Sequence, residues 1–206
     1  MEITYREIFG AITMLQSFFI YIPYIYATAK GRLRPHPITW VIACLSGGSS
    51  GLILLFNGAG AGAWGNLLTV FFTLILSFVA FFNYRKSSKI SRHDVVLLCL
   101  AILALVLWLL SRNLAVISVV LLSASSVFGI FPTLMKTWKN PRSESLYTWI
   151  MFLFQAIFGL IATANFDFVN TFRRFVMVAI NSTVIAAMFY CRHKIKPSDG
   201  PILINS

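Results

Sequence analysis

Ser17-Phe18-Phe19-Ile20-Tyr21-Ile22-Pro23 opens a stretch, running to Thr39-Trp40, that the chain writes again 109 positions later. The second copy begins Ser126-Val127-Phe128-Gly129-Ile130-Phe131-Pro132 and ends at Thr148-Trp149. Seven pairs are identical at that single offset over 24 ungapped positions: Ser17/Ser126, Phe19/Phe128, Pro23/Pro132, Thr28/Thr137, Lys30/Lys139, Thr39/Thr148 and Trp40/Trp149. An apolar composition raises the background of chance matches, but seven without a gap are hard to reach by chance. A duplicated membrane unit with a proline in each copy marks many transporters, whose solute site lies where the copies meet. The repeat therefore predicts two halves of one solute pathway.

The setting follows from composition. The 206 residues are 58% hydrophobic and 11% charged, with a mean hydropathy of +0.81. A soluble domain of this size has no means of hiding so much apolar surface from water. Seven apolar runs, roughly 8–28, 38–57, 63–83, 94–111, 114–135, 146–165 and 174–191, approach the length that crosses a bilayer, about 20 residues. Lipid offers backbone N–H and C=O groups no partner, so each run is expected to be helical. The expected fold is an all-α integral membrane protein with seven transmembrane helices. Three fall in each copy and one stands between, so the copies run parallel. The boundaries read as 1–84 for the first three-helix repeat, 85–113 for the linker helix and its loops, 114–192 for the second repeat and 193–206 for a tail. The linker helix, Val95–Leu110, is almost wholly aliphatic and is expected to face lipid and neighbouring helices.

A net charge of +11 raises the question of nucleic acid, and the placement of the charges answers it. Thirteen of the 17 basic residues fall on one side of the bilayer, among them Lys30, Arg85, Lys136, Lys139 and Arg192. The other side holds Arg6, Arg112, Arg173 and Arg174, the last two read as part of an outer loop with Asp167. The positive-inside rule then puts the C-terminus in the cytoplasm and the N-terminus outside, in a plasma (bacterial inner) membrane. Topology accounts for the charge, so no nucleic-acid partner is expected. The first run lacks a basic n-region and a cleavage site and is expected to stay as a helix, not leave as a signal peptide.

Several familiar patterns dissolve on inspection. Gly60-Ala61-Gly62-Ala63-Trp64-Gly65 fits G-x-G-x-x-G but joins two membrane runs with no strand before it, so it reads as a tight, flexible turn. Cys44, Cys99 and Cys191 have no paired spacing, and His36, His93 and His193 form no ligand cluster. No Walker motif, metal spacing or nucleophile–base pair appears, so neither catalysis nor a cofactor or metal is expected. The six acidic residues lie in tails, loops or helix ends. Without a mid-membrane carboxylate there is no evident proton relay or sodium ligand, which favours facilitated diffusion of a small, neutral, polar solute.

Polar residues inside the apolar runs are the candidate solute ligands, because an unpartnered amide in lipid is costly. Asn181 is the strongest, deep in the seventh run. Asn66, Thr69, Thr73, Gln16 and Ser17 are the first-copy candidates, and Gln155 is a further one from the second. An interhelical clamp is the alternative for each. Pro23 and Pro132 each remove a helical hydrogen bond just before a basic connection, as a static kink or as matched hinges. Trp40 and Trp149 open the second and sixth runs, as interfacial anchors or as part of a gate. Ser46-Gly47-Gly48-Ser49-Ser50-Gly51 places Gly47 and Gly51 at the spacing that lets helices approach closely, with serines beside them able to meet a solute.

This plan resembles the PQ-loop superfamily, which includes the SWEET sugar facilitators and their three-helix bacterial relatives. The likeness is carried by Pro23-Tyr24 and Pro132-Thr133, each followed by a basic loop. It is fuller in the second copy, with Phe131-Pro132-Thr133, Lys136, Lys139, Ser143-Glu144-Ser145-Leu146 and Trp149. The resemblance implies an alternating-access uniporter for a solute such as a sugar, with pocket roles for Asn181 and Asn66. Other members of the superfamily carry amino acids or vitamins, and a nicotinamide-riboside permease family shares the helix plan. A non-transporting receptor or scaffold of the same fold is the competing class. The expected partners are the solute and the lipid bilayer, and the plan is compatible with a homo-oligomer.

Overall fold

The computed structural model describes residues 4–31, 37–84, 91–139 and 145–194. Seven α-helices account for most of them: α1 Tyr5–Ala29, α2 Pro37–Phe56, α3 Trp64–Tyr84, α4 Arg92–Leu110, α5 Ala115–Lys139, α6 Leu146–Ile161 and α7 Phe168–Lys194. Two short 3₁₀ turns, Gly60–Ala63 and Arg112–Leu114, lead into α3 and α5. No strand occurs among the described residues. Six helices are long and apolar enough to cross a membrane. The seventh, α6, has 16 residues and spans about 24 Å, short of a hydrocarbon core of about 30 Å. Large apolar side chains such as Phe82, Leu110 and Phe56 are exposed, as lipid-facing residues should be. The chain is an all-α membrane protein.

Local chemistry sets the helix starts. Thr4 and Glu7 cap α1, with the Thr4 N–H donating to Glu7 Oε2 at 2.8 Å. Ser91 and Asp94 cap α4 reciprocally, at 3.1 Å and 2.9 Å. Ser145 accepts from the Thr148 N–H at 3.3 Å to open α6. Asp167 opens α7 by accepting from the Asn170 N–H at 2.8 Å.

Packing is ordered around the third helix of each trio. α3 packs on both α1 and α2, and α7 packs on both α5 and α6. α4 rests on α5 and α2, while α1 meets α6 and α2 meets α5 and α7. The Gly47/Gly51 spacing serves the α2–α3 contact, since a Cβ at Gly51 would stand 2.9 Å from Asn66 Nδ2.

Four expectations change here. The Asp167 cap starts α7 at Phe168, six residues before the expected 174, so Arg173 and Arg174 belong to the helix and not to an outer loop. α6 stops at Ile161, not 165, because the Thr163 N–H turns back to the Leu160 carbonyl at 3.1 Å. α5 runs on past 135 through Lys136 to Lys139, one turn longer than its apolar run. Gly60–Ala63 is no flexible turn: Ala61, Gly62 and Ala63 are buried, and the segment packs on α1, α2, α3 and α6. Arg32, Arg34, Arg85, Lys86, Lys89, Arg142, Lys196, Glu2, Glu144, Asp199, Pro35, His36 and Ser143 lie outside the described residues.

Candidate solute cavity

A cavity of about 820 Å³ lies among all seven helices, a size typical of small-molecule sites. At the loop end, where α6 turns into α7, its wall includes Gly62, Asn170, Arg173 and Arg174. At the other end it includes Trp40, Trp149 and Asp94 and reaches the exposed Thr39 and Ser91. The amino end of α4 is thus part of the wall, although the helix was expected to face only lipid and neighbouring helices. His93 belongs to that wall too, with a buried Nε2 that has no partner.

The structure divides the expected ligands. Asn181, Asn66, Thr69, Thr73 and Gln155 line the cavity, whereas Gln16 and Ser17 are not among its lining residues. Asn181 is 1% exposed, and neither its amide nitrogen nor its amide oxygen has a partner. Asn66 donates to the Gly47 carbonyl at 3.0 Å, and Thr73 turns back to the Val70 carbonyl at 2.9 Å. Gln155 reaches from α6 to Ser17 Oγ at 2.8 Å, to the Thr13 carbonyl at 3.2 Å and to Thr69 Oγ1 at 3.3 Å. Ser17, Thr69 and Gln155 together therefore tie α6 to α1 and α3. Gln16 is buried, with an unpartnered Oε1. Of the whole set, Asn181 has the most unspent hydrogen-bonding capacity.

Two wall residues were not anticipated. Arg173 donates from Nη1 to Ser126 Oγ at 2.9 Å and to the Leu122 carbonyl at 2.6 Å, and from Nη2 to Ser46 Oγ at 3.3 Å. Ser46 lies ten residues from the loop end of α2, about 15 Å in. An arginine this near a helix end ordinarily snorkels outward to water. Arg173 turns inward instead. Arg174 donates to the Gly62 carbonyl and has a buried Nε with no partner. Gly159 on α6 makes room for it, since a Cβ there would collide with Arg174 Nη1. Among the described residues, neither guanidinium has a carboxylate partner. The signal in the sequence was Asp167, a helix cap placed so that both arginines fall in the second turn of α7.

The two ends are built differently. At the loop end Asn57 donates to Asp167 Oδ2 at 2.8 Å, Asn170 donates to the Asn57 carbonyl at 3.1 Å, and the Ala164 N–H meets the Ala59 carbonyl at 3.0 Å. These bonds join the α2–α3 connection to the α6–α7 connection. At the other end the contacts are aromatic. Tyr21 meets Trp40 at 6.4 Å and Phe152 at 6.3 Å, and Phe152 meets Trp149 at 6.0 Å between ring centres. Trp40 and Trp149 thus sit in the cavity wall. Pro23 is exposed on an unbroken α1, two residues beyond Tyr21, and Pro132 falls within α5. Among the described residues no three His, Cys, Asp or Glu side chains are grouped to hold a metal ion. The chain matches no family model, no curated protein and no solved structure.

Proposed function

We propose that the protein is a facilitative carrier that moves a small polar solute by rocking helices α1–α3 against α5–α7. The carrying observation is the central cavity, largely apolar with a polar residue from every helix, spanned by hydrogen bonds between the connections at the loop end and reaching exposed residues at the other. A scaffold has no use for such a space, whereas a carrier needs one that opens to a single side at a time.

The repeat supports the same reading. Gln155 stands 109 positions after Ser46, the offset that also relates Ser17 to Ser126. Gln155 bonds directly to Ser17 between α6 and α1, and Ser46 is bridged to Ser126 through Arg173 between α2 and α5. Contacts at repeat-matched positions are what two parallel three-helix units about a pseudo-two-fold axis would give. The order of packing, with α3 and α7 each central to its trio, fits the three-one-three plan of the PQ-loop resemblance. The charge split supports a cytoplasmic basic end.

Counterflow in proteoliposomes is the test, with the full chain and a panel of sugars, amino acids, nucleosides, vitamins and organic acids. Exchange of one labelled solute without an imposed gradient is the expected result. No exchange with any of them would favour the receptor class, and flux that needs a proton or sodium gradient would exclude uniport.

A further inference from the structure

We infer that the cavity is an oxyanion site. Arg173 and Arg174 take the carboxylate or phosphate of a small organic anion, whose uncharged body extends past Asn181 towards the Trp40–Trp149 end. This deepens the carrier reading and rests on it only in taking the cavity for the solute site.

The charge balance of the wall carries the inference. Two guanidinium groups lie in it, and Asp94 is the one carboxylate among its described residues. Asp94 stands at the far end, where its Oδ2 accepts from the Ser91 N–H at 2.9 Å and the Ser91 hydroxyl at 2.7 Å. Cations held within a bilayer without a counter-charge are costly, and they persist where a ligand or pathway uses them. A neutral sugar would leave both charges uncompensated. An oxyanion would neutralise them and suit the planar fork of a guanidinium.

The geometry agrees with the charge. Each guanidinium has five N–H donors. Arg173 makes its three bonds from Nη1 and Nη2, while Arg174 makes one from Nη2 and leaves a buried Nε unused. Donors remain for a ligand at both. Asn181 follows Arg174 by seven residues on the same face of α7, about 10 Å further along. Both of its amide atoms lack partners. A solute with an acidic head and one further polar atom would engage both, with Trp149 and Phe152 beside its apolar part.

Thermal unfolding of the full-length protein in detergent tests the site without requiring flux. The probes are benzoate, phenyl phosphate and the uncharged benzamide, at matched sodium chloride. Stabilisation by either anion and not by benzamide is expected, and which anion acts tells carboxylate from phosphate. Arg173→Gln and Arg174→Gln should each weaken that binding about tenfold or more. Equal stabilisation by benzamide, stabilisation by neither anion, or wild-type anion affinity in both variants would overturn the site. If a glutamine variant does not fold, the wild-type comparison of anion with amide decides alone. Anion binding without counterflow of any solute would sink the carrier and keep the site. Flux of an uncharged solute that both variants leave unchanged would keep the carrier and sink the site.

Discussion

Asn181 and Gly159 make the sharpest claims at the scale of single residues. Asn181→Ala removes the amide of a buried, unpartnered side chain and disturbs no bond already made in the fold. It should leave thermal stability near wild type and weaken solute affinity by about 1–3 kcal/mol, or roughly 5- to 150-fold. A large fall in melting temperature with unchanged affinity would assign Asn181 to packing. Gly159→Ala acts through its neighbour, because the added methyl occupies the space of Arg174 Nη1. Overpacking of that kind costs about 1–3 kcal/mol, so its melting temperature should fall. An unchanged melting temperature would mean that Arg174 has another resting place. Asn181 was legible in the sequence because an amide inside an apolar run stands out. Arg173 and Arg174 were not, because two arginines near the start of an apolar run look like ordinary interfacial charges. Only the Asp167 cap moves them into the helix, and only packing shows that Arg173 turns inward towards Ser46 and Ser126.

Among the elements, α1 and α5 carry the matched prolines. α1 stays helical through Pro23, and the ring contacts of Tyr21 with α2 and α6 begin two residues away. A proline there leaves the helix one hydrogen bond short beside the aromatic contacts that would form an inner gate. Pro23→Ala and Pro132→Ala should slow counterflow several-fold while leaving folding and surface expression largely intact. Normal rates in both would make the prolines static kinks. The lengths of the elements were less legible than their number. Hydropathy located all seven helices, since a lipid-facing helix has to be apolar over most of its length. It placed the ends of α5, α6 and α7 several residues out, because those ends depend on caps and on polar residues that hydropathy ignores. The second tryptophan of the repeat illustrates the same gap. Trp149 reads by depth as an interfacial anchor or as part of a gate, and hydropathy does not separate the two; it lines the cavity beside Phe152, three residues further along α6.

For the whole molecule, orientation and gating are separable. Orientation rests on the 13-to-4 split of basic residues. In a background without native cysteines, Asn113→Cys, exposed beyond the end of α4, should react with an impermeant reagent in intact cells, and Ser88→Cys should be shielded. The reverse pattern would invert the protein. In the proposed carrier the loop-end bonds would act as the outer gate, and Asn57 isolates them. Its amide holds one oxygen of Asp167 while the other caps α7, so Asn57→Ala breaks a link between the halves without removing the cap. A net bond of about 1 kcal/mol lost from the closed form shifts the balance towards the form open at the loop end about fivefold. Ser50 is buried, lines the cavity and lies six residues from the loop end of α2, so a cysteine there reports that opening. Labelling of Ser50→Cys from outside should quicken about fivefold when Asn57→Ala is added. An unchanged rate would show that the Asn57–Asp167 link fastens the loops without controlling the path, and the outer barrier would then lie deeper, at the Arg174–Gly62 contact.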